Sequence, residues 1–115
     1  MSRISKGEIY LADLNPTVGS EIAKTRPVLI VSNNINNQYA DTVTIVPITS
    51  TTEKIYPFEV FLSQGEGSLT NDSKAKANQI RTIDKLRLKR RLGKINKETL
   101  KEIERAILIH LEIEL

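Results

Sequence analysis

Several residue types are absent or scarce in this chain of 115 residues, and each shortage excludes a class of function. The chain has no cysteine, which excludes a disulfide framework and a thiolate-bound zinc site. It has one histidine, so a metal centre of several histidines and a two-histidine acid–base pair within one subunit are also excluded. Its apolar runs are short, and none approaches the ~18 residues of a membrane span.

The beginning of the chain and its length set further expectations. The stretch MSRISKGE contains no apolar segment of the kind that directs secretion, so no export is expected. Together with the lack of cysteine, this favours a reducing cytoplasm as the location. A length of 115 residues predicts a single domain that covers residues 1–115.

Positive charge is concentrated in one segment, although the formal net charge is only +3. Lys85–Lys94 carries six basic residues in ten, whereas the chain from Glu98 onward holds five glutamates. A basic stripe of this kind can attract a polyanion such as a nucleic acid. A solvated surface is the commoner reason for such a run, so both interpretations stay open.

The spacing of apolar residues predicts short strands followed by one helix. Over residues 97–111 the period becomes helical, because Leu100, Ile103 and Ile107 recur on one face, and Asn96 can cap the start. The predicted strands are Gly7–Leu14, Arg26–Ser32, Thr42–Thr49, 57–62, Lys74–Ile83 and 90–96. This order predicts a mostly β protein with some α structure, namely a small antiparallel β barrel with a C-terminal helix packed on it.

Two features in the middle of the chain modify this pattern. Pro47 lies within the predicted strand Thr42–Thr49 and has no N–H, so it predicts an edge position or a bulge near the end of the strand. The stretch NNINNQYA, residues 33–40, is too rich in asparagine for a strand and predicts a turn or one short helical turn.

Arg26 and Thr49 are candidates for chemistry because Arg26 begins one predicted strand and Thr49 ends another. If these strands are antiparallel neighbours, the start of one lies beside the end of the other. A guanidinium makes bidentate, charge-assisted hydrogen bonds to phosphoryl oxygens, and a hydroxyl adds one more donor. The pattern therefore indicates a site for a phosphate diester. A solvated strand end and an ordinary strand threonine are the alternative interpretation.

Four segments in order, GEIYLADLNPTVGSE, RPVLIVSN, VPITS and NQIRTIDKLRL, resemble the MazF/PemK (Kid) family of toxin endoribonucleases. Each segment is weakly specific alone, but four in order at the expected separations are strongly specific. The resemblance implies a homodimer of SH3-like β barrels that cleaves single-stranded RNA without a metal or other cofactor. It also implies a small MazE-like antitoxin as partner, contact with DNA only through the toxin–antitoxin complex, and no membrane association.

The same resemblance assigns roles to individual residues. Arg26 of RPV matches the family's catalytic arginine, and Thr49 of PITS matches its catalytic threonine. The RNA-binding residues that the resemblance implies are Ser20, Glu21, Ser50, Asn78, Gln79 and Arg81. Asn78 stands where some relatives carry a carboxylate, and because an amide cannot act as a base at neutral pH, the general base is left open.

The implied reaction is attack of the RNA's own 2′-hydroxyl on the adjacent phosphorus, which gives a 2′,3′-cyclic phosphate and a 5′-hydroxyl. Arg26 would neutralise the phosphoryl oxygens and donate a proton to the leaving oxygen, while Thr49 would position a phosphate or the 2′-hydroxyl. Two alternatives stay open on the same fold. One is a CcdB-like gyrase poison that does not cut RNA, and the other is a regulator that binds nucleic acid through residues 85–94.

Overall fold

The computed structural model describes residues 3–115, in which seven strands form one antiparallel sheet. The strands are β1 (Glu8–Asp13), β2 (Thr25–Ile30), β3 (Thr42–Thr49), β4 (Glu59–Leu62), β5 (Ser73–Lys76), β6 (Arg81–Asp84) and β7 (Leu88–Lys94). The helices are α1 (Asn34–Tyr39) and α2 (Lys97–Leu111). Along the sheet the order is β4-β5-β3-β2-β1-β7, and β6 also pairs with β3. We name residues 14–24, 50–58 and 63–72 the first, second and third loops.

The predicted fold class, mostly β with a C-terminal helix, is confirmed, although the barrel is not closed by strand pairing in the described residues. β4 and β7 lie at opposite ends of the strand order. The third loop lies against β7 instead, and a Cβ atom at Gly93 would collide with the main chain of Gly67. Glycine at this position therefore allows the third loop to approach the end of the sheet closely.

The elements with strong local signals lie where the sequence predicts them. The strand Thr42–Thr49 has the predicted bounds, and the last strand, predicted over residues 90–96, begins and ends two residues earlier. The helix Lys97–Leu111 begins after Asn96, whose Oδ1 accepts the Thr99 N–H at 2.8 Å. A side-chain cap of this kind satisfies one of the free N–H groups of the first turn.

The predicted continuous strand Lys74–Ile83 is wrong, because a 3₁₀ turn at Ala77–Gln79 divides it into β5 and β6. Both strands pair with the same side of β3, β6 with its beginning and β5 with its end. The chain therefore leaves the sheet between the two pairings, at the 3₁₀ turn. Alanine has a low β propensity, so the sequence around this turn does not favour a continuous strand.

Pro47 does not lie on a sheet edge, since β3 has partners on both sides. The carbonyl of Thr44 accepts the Val31 N–H at 3.0 Å and so faces β2. Main-chain groups alternate in direction along a strand, so Pro47 faces the other side, into the gap between the β6 and β5 pairings. On this side of Pro47, β3 has no neighbouring strand among the described residues to accept a hydrogen bond, so the missing N–H of proline costs none, and proline is tolerated in an interior strand.

Two hydrophobic clusters lie on the two faces of the sheet. Val46 and Ile48 belong to the cluster on which α2 packs through Ile103, whereas Val43 and Ile45 belong to the other cluster. This alternation follows from the two-residue period of a strand. Thr49 continues the odd-numbered series and therefore projects toward the second face. In residues 3–115 no helix combines the length and the apolar character needed to cross a membrane.

Candidate active site

Arg26 and Thr49 lie side by side at one rim of the sheet. β2 and β3 are antiparallel neighbours whose register pairs Val28 with Pro47. Two further steps along this register set Arg26 opposite Thr49, and residues opposite each other on neighbouring strands project from the same face. Both side chains line one cleft of about 210 Å³, which we name the Arg26 cleft. The placement that the phosphate-site interpretation requires is therefore present.

The polar groups of Arg26 and Thr49 are only partly engaged by the protein. The Nε of Arg26 donates to the carbonyl of Ala23 at 2.9 Å, and its terminal nitrogens have no protein partner in residues 3–115. The Oγ1 of Thr49 accepts a long hydrogen bond of 3.4 Å from the Thr51 N–H, which leaves the hydroxyl proton free to be donated. Ser50 is exposed beside them in the same cleft. The cleft thus offers a cation and hydroxyl donors to an anionic ligand.

Apart from Thr25, the rest of the polar lining comes from the third loop and the start of β5, which the sequence analysis does not single out. Thr70, Asn71 and Ser73 line the Arg26 cleft. The hydroxyl of Ser73 donates to the carbonyl of Asn71 at 2.9 Å and so fixes the end of the loop. The pairing of β5 with the end of β3 brings these residues beside Thr49. The run SLTND, residues 68–72, is rich in hydroxyl and amide groups. It lies at the cleft because β5, which follows it, pairs with β3, and these strands are far apart in the sequence.

The remaining expected RNA contacts lie together in a second depression of about 360 Å³, which we name the Gln79 groove. The structure thus brings these residues together, whereas Ser50 lies in the Arg26 cleft. The groove is lined by Val18, Ser20, Glu21, Asn78, Gln79, Ile80 and Arg81.

Some of these side chains are already engaged in holding the first loop. The amide of Gln79 accepts the Ile22 N–H at 3.2 Å and donates to the carbonyl of Ser20 at 3.3 Å. Arg81 donates to the carbonyl of Leu14 at 3.3 Å. The Oε1 of Glu21 accepts the Val18 N–H at 2.6 Å, within the loop itself. Gln79 and Arg81 therefore shape one wall of the groove in addition to lining it.

Asn78 differs from these neighbours, because its Oδ1 is buried without a hydrogen-bond partner in the described residues. A buried acceptor without a partner costs free energy, about 1–3 kcal/mol in proteins. Asn78 as a residue lines the Gln79 groove, whereas its Oδ1 atom is buried beneath the surface of the groove. An amide oxygen can accept a hydrogen bond but cannot remove a proton at neutral pH.

The basic stripe of residues 85–94 is partly used by the fold. Arg87 donates to the carbonyls of Asp13 and Asn15 and so braces the first loop. The Nε of Arg91 pairs with the Oε2 of Glu8 at 2.6 Å. The positive charge that is exposed on β7 comes mainly from Lys89, Arg90 and Lys94. β7 ends the strand order, where exposed charges also discourage pairing with another chain.

Comparison with known proteins assigns the chain to a family. The family described as PemK-like, MazF-like toxin of type II toxin-antitoxin system matches residues 5–111. The chain is 40% identical over 113 residues to Endoribonuclease MazF9 of Mycobacterium tuberculosis (strain ATCC 25618 / H37Rv), covering 94% of this chain and 96% of that protein. The chain therefore belongs to the PemK-like, MazF-like family of toxins from type II toxin–antitoxin systems.

One solved structure supports the same assignment, and a second shares the fold. The fold is similar to that of an endoribonuclease in complex with its cognate antitoxin from Mycobacterial species, with a TM-score of 0.78, 25% identity, and coverage of 100% of this chain and 99% of that chain. It is also similar to a MazF from Deinococcus radiodurans, with a TM-score of 0.85, 24% identity, and coverage of 97% and 99% of the two chains. The second likeness concerns the fold alone.

Proposed function

We propose that this toxin is an endoribonuclease that cleaves single-stranded RNA at the Arg26 cleft. The observation that carries the proposal is the placement of Arg26 opposite Thr49 in one cleft, with terminal guanidinium nitrogens and a hydroxyl proton left free. The name of the Mycobacterium tuberculosis relative, an endoribonuclease, supports the same activity here. Family membership also favours RNA cleavage over a CcdB-like gyrase poison.

The proposed reaction needs no nucleophile from the protein. The ribose 2′-oxygen forms a bond to the adjacent phosphorus, the bond from phosphorus to the 5′-oxygen breaks, and the 2′-proton passes to a base that we do not assign to a side chain. Arg26 donates to the non-bridging oxygens, where negative charge grows in the transition state, and supplies a proton to the leaving 5′-oxygen. Thr49 donates to a phosphoryl oxygen or aligns the 2′-hydroxyl. The products are a 2′,3′-cyclic phosphate and a 5′-hydroxyl.

We place the nucleotides that flank the cut in the Gln79 groove. Ser20, Asn78 and Arg81 offer a hydroxyl, an amide and a guanidinium there, and all three suit unpaired bases or phosphates. Glu21 adds a carboxylate that can accept from an exocyclic amine. Duplex RNA should resist cleavage, because pairing hides the base edges and holds the 2′-oxygen out of line with the leaving oxygen.

The direct test is to incubate the purified protein with a long single-stranded RNA in excess EDTA and to map the ends of the fragments. We expect cleavage that EDTA does not slow, with 5′-hydroxyl and 2′,3′-cyclic phosphate ends, while DNA of the same sequence stays intact. Fragments with 5′-phosphate ends would contradict the mechanism. Intact RNA together with inhibition of gyrase would instead support the CcdB-like alternative.

We also propose that the toxin works as a homodimer. Large apolar side chains are exposed near the end of α2 and just after it, including Ile109, Leu111 and Ile113, which is unusual for a free surface. Light scattering coupled to gel filtration should give about twice the chain mass of 13.0 kDa. A mass that stays at one chain over the concentrations used in the cleavage assay would exclude a dimeric enzyme.

The remaining partner expectations rest on the relatives. The mycobacterial endoribonuclease was solved in complex with its cognate antitoxin, which supports an antitoxin partner for this toxin as well. We propose a MazE-like antitoxin with an acidic segment that folds on binding, because the chain carries a formal net charge of +3. Contact with DNA only through the toxin–antitoxin complex, and a cytoplasmic location, stay predictions.

A further inference from the structure

A buried ion pair lies beside the Arg26 cleft. The Nζ of Lys74 is 2.9 Å from the Oε1 of Glu59, and the two side chains are 8% and 1% exposed. The β3–β5 register sets Lys74 directly opposite Thr49, so the two side chains project from the same face of the sheet. Arg26, Thr49 and Lys74 therefore form a row across β2, β3 and β5.

This pair holds the main chain of the second loop, which begins directly after Thr49. The ammonium of Lys74 also donates to the carbonyl of Lys54 at 2.8 Å. The Oε1 of Glu59 also accepts the Tyr56 N–H at 3.0 Å. The two ions thus fix one carbonyl and one N–H in the part of the second loop that precedes β4.

The surroundings keep Glu59 charged. Burial by itself raises the pKa of Glu59, but the Tyr56 N–H, Lys74 and Lys76 together hold that pKa below its usual value. The Nζ of Lys76 is 3.4 Å from the Oε2 of Glu59, and the Nζ of Lys54 lies 4.8 Å from the centre of the Tyr56 ring. One carboxylate therefore faces two lysines, with a third lysine over the neighbouring Tyr56 ring, and positive charge remains on this side of the sheet.

Stability alone does not account for a buried pair at this position. Removing two charges from water is costly, and well-packed apolar residues of similar volume often stabilise a fold as well or better. What apolar residues cannot supply is a pair of directed hydrogen bonds to the main chain of the loop. The pair is therefore better suited to fixing the loop than to strengthening the core.

We propose that Lys74 and Glu59 are positioning residues, which hold the second loop so that Thr49 and Ser50 face Arg26 in the geometry that cleavage needs. The inference rests on the proposed RNA cleavage at this cleft. Neither residue touches the RNA in this arrangement. Both act through the loop that follows Thr49.

The test replaces both charges with apolar residues in one variant, Glu59→Met with Lys74→Met, and measures unfolding and cleavage. We expect a melting temperature close to that of the parent, a kcat at least ~10-fold lower and a KM within about threefold, because small misplacements act mainly on the transition state. Lys101→Met removes an exposed lysine from α2 and should change neither constant. A stable double variant that cleaves within about twofold of the parent rate would overturn the proposal.

Two further measurements keep the outcome interpretable. Hydrogen exchange at the amides of residues 51 and 59, which donate to the Thr49 Oγ1 and to the Tyr56 carbonyl at the two ends of the second loop, should become at least ~10-fold faster in the double variant, while exchange in α2 stays unchanged. Unchanged exchange in these amides would also overturn the proposal.

If the double variant does not fold, Glu59→Gln takes its place, and a parent-like kcat in that variant would overturn the proposed role of the pair. A parent protein that does not cut RNA would refute the proposed function, and exchange alone would then decide whether the pair holds the loop.

Discussion

Replacing Arg26 with alanine should slow RNA cleavage at least ~100-fold and leave the fold intact. Arg26 is half-buried at the start of β2, and among the described residues its side chain makes one hydrogen bond to the protein, from Nε to the carbonyl of Ala23. Losing one such bond costs about 1 kcal/mol of stability, which is too little to unfold a domain. What disappears is the fork of N–H donors that faces the cleft. Single-turnover rates in EDTA, with circular dichroism as a folding check, measure the effect.

Two companion variants sharpen this prediction. Arg26→Lys keeps the positive charge but not the planar fork, so its rate should lie between those of the parent and the alanine variant. Arg90→Ala removes an exposed arginine from β7 and should cleave at the parent rate. If Arg90→Ala slowed cleavage strongly and Arg26→Ala did not, the Arg26 cleft would not be the active site. That result would favour the alternative in which residues 85–94 bind the nucleic acid.

The parts of the fold that could be predicted from the sequence are those with a local cause. β3 follows from β-branched residues in a row, and α2 follows from its apolar period and the Asn96 cap. The adjacency of Arg26 and Thr49 required one further assumption, that β2 and β3 are antiparallel neighbours. Because strands that follow each other along the chain usually pair, this assumption is a favourable one.

The parts that could not be predicted depend on which distant segments pair. Nothing local to Lys74–Ile83 reveals that one edge of β3 has room for two separate partners, one before Pro47 and one after it. The pairing of β5 with β3 brings the third loop to the Arg26 cleft, and the pairing of β4 with β5 brings Glu59 to Lys74. The family resemblance also implies that Gln79 is an RNA contact, but only the structure reveals that its amide already joins two main-chain groups of the first loop. Position in a groove and freedom to bind a ligand are separate properties.

A single 2′-deoxy nucleotide on the 5′ side of the mapped cut should abolish cleavage at that bond, with a rate at least ~1,000-fold lower. Attack by a neighbouring hydroxyl gains its advantage from proximity, worth effective concentrations of about 10⁵–10⁸ M in well-oriented cases, and removing the hydroxyl removes that advantage entirely. Binding should change little, because one hydroxyl is lost while the phosphate contacts of Arg26 and Thr49 are retained. Fluorescence anisotropy measures the binding, and gel analysis of end-labelled RNA measures the cleavage.

The matched control for this substrate carries the 2′-deoxy nucleotide one position further from the cut and should be cleaved at the parent rate. Continued cutting at the modified bond would mean that water, rather than the ribose, attacks the phosphorus. A water nucleophile would need activation by a base, yet the amide of Asn78 cannot accept a proton at neutral pH, and the guanidinium of Arg26 has donors but no acceptor. Either nucleophile must lose a proton, and the described residues that line the Arg26 cleft include donors for a phosphate but no carboxylate or imidazole. The 2′-hydroxyl differs from water because the ribose already holds it beside the phosphorus, so the cleft needs only to bind and stabilise the phosphate.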